Sequence, residues 1–128
     1  MSDTDVSPGD TYTYSRTFTR DDVEQFTEIS KDEGEHHLET DEQGRVVVHG
    51  LLTATLPTKL GGDLDYLARD MVFEFRKPVY TDEEISCELT VLDVADRNGG
   101  VDLSAEAICT NEDDEVVLTG EFEGVIFE

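Results

Sequence analysis

The residues able to do chemistry in this chain gather in one place. Its three histidines, His36, His37 and His49, fall within 14 residues, in the company of Asp32, Glu35 and Glu39. Three uses of such a cluster compete. His36 and His37 can be exposed loop residues, with His49 merely opening a helix. As metal ligands the set is badly spaced, because neighbouring residues in extended chain point to opposite sides, and no His-Glu-x-x-His helix or compact ligand pair is present. Acid–base work needs only Asp32 and His37, five residues apart on a loop entering the core, where a carboxylate and an imidazole can converge on one water. His49-Gly50 then opens a helix whose first backbone N–H groups lack partners, a place to stabilise an oxyanion developing on a carbonyl. Thr55, about one and a half turns further on, offers a hydroxyl to the same cavity. This use calls for no metal and no cofactor.

The elements that must position these groups are read from periodicity. Thr11–Thr19 alternates, with Tyr12, Tyr14 and Phe18 on one side, which predicts a half-buried strand. Thr19-Arg20-Asp21-Asp22 is a capping box in its Asp variant. A short helix through about Ser30 follows, with Val23, Phe26 and Ile29 as its apolar stripe. Lys31–Arg45 carries Gly34 and Gly44 among acids and is mostly loop. From Val48 to Leu60, thirteen residues contain no acid, which marks a buried helix ended by Gly61-Gly62. Pro57 conflicts with an unbroken helix and predicts a kink or a division into two turns.

Beyond the glycines the period becomes two. Ala68–Val79, Ile85–Val94, Val101–Thr110 and Val116–Phe127 are expected as strands, turning at Thr81-Asp82-Glu83, Asn98-Gly99-Gly100 and Asn111-Glu112-Asp113. Val101, Leu103, Ala105, Ala107 and Cys109 face one way. Val116, Leu118, Phe122 and Ile126 share a face with Gly120 and Gly124, which leave room for a close neighbour. The pattern is α+β: an antiparallel sheet of about five strands around one long apolar helix.

Composition narrows the classes of function. The 128 residues include 32 acids and 9 Lys or Arg, a net charge of −23. No basic cluster is available to neutralise phosphates, which argues against nucleic acid and against an anionic membrane surface. No stretch approaches the roughly 20 apolar residues of a membrane span, and Met1–Asp10 lacks the pattern of a secretory signal, so a soluble cytoplasmic protein is expected. The acids are spread between apolar residues, the longest run being Glu112–Glu115, and six Phe and four Tyr remain for a core. One domain over residues 1–128 is expected, with 1–10 a loose N-terminal segment. Such charge repels itself at low ionic strength and is tolerable where concentrated salt shortens the Debye length to about 3 Å, so an extreme halophile is the expected source. Cys87 and Cys109 fall outside any C-x-x-C pattern and are expected as buried apolar residues.

Several of these residues form a pattern already known. Ser30-Lys31-Asp32-Glu33-Gly34-Glu35-His36-His37-Leu38, followed by Val48-His49-Gly50-Leu51-Leu52-Thr53-Ala54-Thr55, resembles the hydratase-2 motif of the MaoC-like, (R)-specific enoyl-CoA hydratases. Val72-Phe73-Glu74-Phe75-Arg76-Lys77-Pro78-Val79-Tyr80 is similar to the strand and Pro-Val turn that those proteins place after the central helix. The resemblance covers about residues 12–127. It implies the hot-dog fold, a sheet wrapped around one long helix, usually paired as a homodimer. It implies that Asp32 and His37 activate the water added to a trans-2-enoyl thioester. By the same carry-over the Gly50 amide polarises the thioester carbonyl, His49 lines the pocket, and Thr55 stands where relatives often carry a Ser. The chain departs from the motif at Gly34-Glu35, where the family has Asn-Pro. It also has only 11 residues between His37 and His49, fewer than the hydratases, and Thr81-Asp82-Glu83 where Gly-Asp is usual.

The expected activity is therefore enoyl-CoA hydratase or 3-hydroxyacyl-CoA dehydratase, acting on an acyl-CoA or acyl-carrier thioester. The alternatives are a hot-dog acyl-CoA thioesterase with Asp32 or Glu35 as base, and a non-catalytic acyl-CoA-binding protein. Lys59, Arg69, Arg76 and Lys77 are the cations available to CoA phosphates.

Overall fold

The alternating Tyr and Thr side chains near the N-terminus form β1, Thr11–Thr17, in the computed structural model, which describes residues 6–128. Of the segment expected to be loose, residues 1–5 lie outside the described residues. Further on, Gly9 N–H donates to the Val91 carbonyl at 2.8 Å and Val91 N–H to that of Asp10 at 2.9 Å.

Helix α1, Arg20–Ser30, starts at the expected capping box. Thr19 N–H donates to the Asp22 carboxylate at 2.9 Å, and Asp22 N–H donates back to the Thr19 hydroxyl at 3.1 Å. Val23 and Thr27 turn inward, one helical turn apart, with Phe26 half-buried beside them. Ile29 does not join this stripe and is 80% exposed, since the buried side of the helix runs through the i, i+4 pair instead. Within the stretch expected as loop, Glu35–Leu38 forms a single-turn helix, α2.

The acid-free run is helical but interrupted. Helix α3, Gly50–Thr53, and helix α4, Thr55–Asp63, meet at Ala54. The break thus falls before Pro57 and places it in the first turn of α4, where a missing N–H costs no intrahelical bond. Gly61-Gly62 does not end the helix, which continues to Asp63 with Leu64 as its C-cap. Leu52, Leu56 and Leu60 are buried against the sheet, each contributing about 2 kcal/mol of apolar burial.

Strands β2 (Tyr66–Phe75), β3 (Glu84–Arg97), β4 (Gly100–Thr110) and β5 (Val116–Phe127) join β1 in one antiparallel sheet ordered β1-β3-β4-β5-β2. The expected inner face of β4, from Val101 to Cys109 in alternation, is buried as a set, and so are Leu118, Phe122 and Ile126 of β5. Gly124 permits a close approach, since a Cβ there would lie 2.2 Å from the Leu67 carbonyl oxygen of β2. β2 begins earlier than expected and stops at Phe75. There Arg76 and Lys77 N–H both turn to the Val117 carbonyl, at 2.8 and 3.3 Å, ahead of Pro78, which has no N–H to continue a ladder. Cys87 and Cys109 are directly opposite on β3 and β4, free and buried. The neighbouring Cys87 thiol, together with burial, pushes the Cys109 thiol well above its usual range. No helix among the described residues is long and apolar enough to cross a membrane.

The capping box carries a pH signature. The Thr19 N–H holds the Asp22 carboxyl below the usual carboxylate range, against the opposing effect of burial and with the help of Arg16 at 2.9 Å. A depressed folded pKa gives stability that is complete above the unfolded value, about 3.9, and is lost as pH falls through the folded value. Thr19→Ala and Asp22→Asn are expected to lower unfolding stability by about 1 kcal/mol at neutral pH. In denaturant titrations the Asp22→Asn deficit shrinks toward pH 2, and a deficit constant with pH would contradict this account.

Candidate active site

The frame of the site is a short backbone ladder. Val48 N–H donates to the Val79 carbonyl at 2.7 Å and Thr81 N–H to that of Val46 at 3.1 Å, with Val47 bridged to Tyr80. Val47 N–H in turn donates to the His36 carbonyl at 2.9 Å. Helix α2 is thereby tied to the segment that enters α3. This is how a stretch rich in acids and glycine comes to hold a buried side chain.

That side chain is His37, 6% exposed. Its Nδ1 lies 2.7 Å from the Val47 carbonyl oxygen. A carbonyl only accepts, so Nδ1 carries the proton and the neutral ring presents the lone pair of Nε2. Nε2 lies 3.6 Å from Asp32 Oδ2, too long for a direct hydrogen bond and close enough for both groups to act on one water. The Asp32 carboxylate is on the solvent side, 56% exposed, and its Oδ1 accepts from Gly34 N–H at 3.2 Å.

His49 lies beneath His37, 2% exposed, with ring centroids 3.7 Å apart and planes 16° from parallel. Its Nε2 lies 3.0 Å from the Asp32 carbonyl oxygen and 3.3 Å from the Thr27 hydroxyl, which itself donates to the Val23 carbonyl. Nε2 is therefore the protonated nitrogen. His36, on the exposed side, packs against His37 with ring centroids 3.9 Å apart and planes tilted by 51°. Its ring fills the space above Gly34, where a Cβ would lie 2.9 Å from His36 Cε1. The three imidazoles that cluster in sequence thus form one column, with Phe26 4.9 Å from His49.

Asp32, His37 and His49 offer donor atoms within 4.8 Å of one another. They do not converge as a metal centre, because lone pairs in near-parallel stacked rings run side by side.

A cavity of about 660 Å³ opens over this column, walled by Asp32, His37, Gly50, Thr53 and Phe75. Gly50 is the first residue of α3 and His49 its N-cap, so the Gly50 amide is among the N–H groups that the helix leaves unpaired. A Cβ at Gly50 would lie 2.7 Å from Phe75 Cε1, which brings the β2 aromatic ring directly over the helix start. Thr55 is not brought to the site: it does not line this cavity, and its hydroxyl donates to the Leu52 carbonyl at 2.6 Å. The residue that faces the cavity is Thr53, buried, with its hydroxyl 3.4 Å from the His49 carbonyl. Glu35 lines a separate surface hollow with Glu39 and Arg45. Of the four cations, Arg76 and Lys77 reach the cavity wall, paired to Glu74 and Glu115. Lys59 pairs with Asp63 and Arg69 with Asp70, away from it.

Sheet order, central helix and the position of the site at the helix start together define a hot-dog fold. Among solved structures the chain is similar to the (R)-hydratase from A. caviae involved in PHA biosynthesis, at 24% identity and a TM-score of 0.80, covering 97% of this chain and 98% of that one. It is similar to the R-hydratase PhaJ1 from Pseudomonas aeruginosa at 20% identity and 0.80, covering 96% and 83%. A MaoC-like dehydratase from Rhodospirillum rubrum matches at 17% identity and 0.80, covering 100% and 97%. No family model matches the sequence, and no curated protein matches it. At these identities the likeness establishes the fold.

The contact between Gly50 and Phe75 is open to test. Gly50→Ala forces the ring aside and is expected to destabilise the protein by about 1–2 kcal/mol. In the double variant with Phe75→Ala most of that cost disappears, measured as a coupling energy in thermal or denaturant unfolding. Additive effects would show that the two residues do not press on each other.

Proposed function

We propose that the chain is an (R)-specific enoyl-CoA hydratase, or 3-hydroxyacyl-CoA dehydratase in reverse, adding water to a trans-2-enoyl thioester. The observation that carries this reading is the aim of His37. Its Nδ1–H is committed to the Val47 carbonyl, so Nε2 is left as a base 3.6 Å from the Asp32 carboxylate, beside the free amides of the helix that begins at Gly50. A water between Nε2 and Asp32 loses a proton to the pair as its oxygen bonds to C3. The electron pair of the double bond moves toward the thioester carbonyl, whose oxygen takes up charge at the Gly50 N–H. The pair then returns the proton to C2, and no net proton is gained or lost. Asp32→Asn and His37→Ala are each expected to lower kcat for crotonyl-CoA hydration by about a hundredfold or more. Undiminished turnover in both variants would sink the assignment.

The same reading includes a homodimer. Met71 and Phe75 pair with Phe122 and Leu118 at inner-face positions of the sheet. They are nevertheless 48% and 55% exposed, on the edge strand β2, next to Leu67 at 61% and Val72 at 58%. An apolar edge strand left uncovered is a pairing site, and a second copy set against it would cover these side chains. Light scattering in molar KCl is expected to give the dimer mass for the wild type and the monomer mass for Met71→Lys. A wild-type monomer would refute this part of the reading. The medium belongs to the proposal as well: a charge of −23 fits a cytoplasm of concentrated salt, so activity is expected to rise with KCl as self-repulsion is screened.

A further inference from the structure

The buried His49 lines the cavity, and the hydrogen bonds it makes go to the fold. Its carbonyl accepts from Leu52 and Thr53 N–H, both at 3.0 Å, and so starts the helix that presents the Gly50 amide. Its side chain reaches back across the α1–α2 connection to the Asp32 carbonyl at 3.0 Å. Its ring face supports His37 at 3.7 Å. Three groups from three segments, the Asp32 peptide, the His37 ring and the start of α3, are thus referred to one residue.

We propose that His49 is a positioning residue, which sets the distance between Asp32 and His37 by holding the Asp32 carbonyl with Nε2–H while bracing the His37 ring. The mechanical argument rests on exposure. The Asp32 side chain is 56% exposed and His37 5%, so packing locates the imidazole and leaves the carboxylate to its backbone. That backbone is flanked by Lys31 in the left-handed region at φ 64 and by Gly34, and it is held from the core side by His49. The Thr27 hydroxyl fixes which nitrogen of His49 bears the proton, because its own hydrogen is given to the Val23 carbonyl and it can only accept from Nε2. The other nitrogen, Nδ1, is buried with no hydrogen-bond partner among the described residues. Although His49 lines the cavity, its one engaged nitrogen is spent on the loop that carries Asp32.

The role rests on the hydratase reading for its kinetic consequence, while its structural content stands apart from it. Two substitutions separate the functions of the ring. His49→Phe keeps the stack and loses the donor; His49→Gln keeps an N–H at the reach of Nε2 and loses the ring. Crotonyl-CoA hydration in molar KCl is expected to show kcat lowered about tenfold to a hundredfold in His49→Phe, with KM within about twofold of wild type, and much of the loss recovered in His49→Gln. A raised KM at unchanged kcat would make His49 a substrate contact and overturn the proposal, as would unchanged kinetics in both variants. Nitrogen-15 NMR of the wild-type imidazoles decides the structural half without any turnover and without any variant having to fold. His49 is expected in the Nε2–H form and His37 in the Nδ1–H form, and an Nδ1–H form for His49 overturns the proposal. If the wild type fails to hydrate enoyl-CoA while the expected forms are found, the hydratase reading has failed and the hydrogen bond to Asp32 has not.

Discussion

The site depends on the backbone of Val47. Its N–H holds the His36 carbonyl and its carbonyl holds His37 Nδ1, so one residue fixes both the backbone and the tautomer of the imidazole that faces Asp32. On its other side the same segment is laddered to Val79–Thr81, which carries the chain from the end of β2 back toward β3. Without that link α2 would be one turn of helix, far too short to persist alone, and His37 would have no reason to be buried. A net hydrogen bond contributes only about 1 kcal/mol. The value of this one lies in direction, since it decides which nitrogen is left free to accept a proton.

The long strands and their inner faces were legible because alternation in β4 and β5 leaves a single way to bury Val, Leu, Ala and Phe together. The buried helix was legible from a gap, the acid-free run Val48–Leu60, in a chain otherwise rich in carboxylates. Its internal boundaries were not. A proline signals a break somewhere near itself, and the backbone satisfied that signal by breaking at Ala54, so that Pro57 sits where its missing N–H is harmless. The paired glycines read as a stop, yet the helix ran on to Asp63, because the left-handed residue that follows the C-cap Leu64 is Asp65, at φ 55, and neither glycine.

Within the site, Asp32, His37, His49 and Gly50 were named from spacing and come together around one cavity. Thr55 was misplaced because, just past the break at Ala54, its hydroxyl turns back to the Leu52 carbonyl, while Thr53, three residues after Gly50 within α3, lies on the cavity wall. Helix α2 was missed because its single turn is held by Val47, about ten positions downstream, and not by any local pattern. The packing of His36, His37 and His49 against one another was likewise invisible, although all three had been singled out. Adjacent residues in extended chain diverge, and it takes the helical turn of α2, with the space above Gly34, to lay the two rings on one side.

The charge excess shapes this site more than it stabilises the protein. Exposed ion pairs such as Arg69 with Asp70 or Arg76 with Glu74 are screened by solvent and contribute little, which does not offset a net charge of −23. The fold tolerates its carboxylates by keeping them off the helix and off the inner face of the sheet. Asp32, on the loop that precedes α2, is the acid whose carboxylate lies beside the buried His37 on the cavity wall. It lies on the boundary, solvated on one side and facing a buried imidazole on the other. A side chain so placed cannot be located by close packing, so its geometry must come from the backbone beneath it. That is why a second, fully buried histidine is found gripping the Asp32 carbonyl in a chain that has only three.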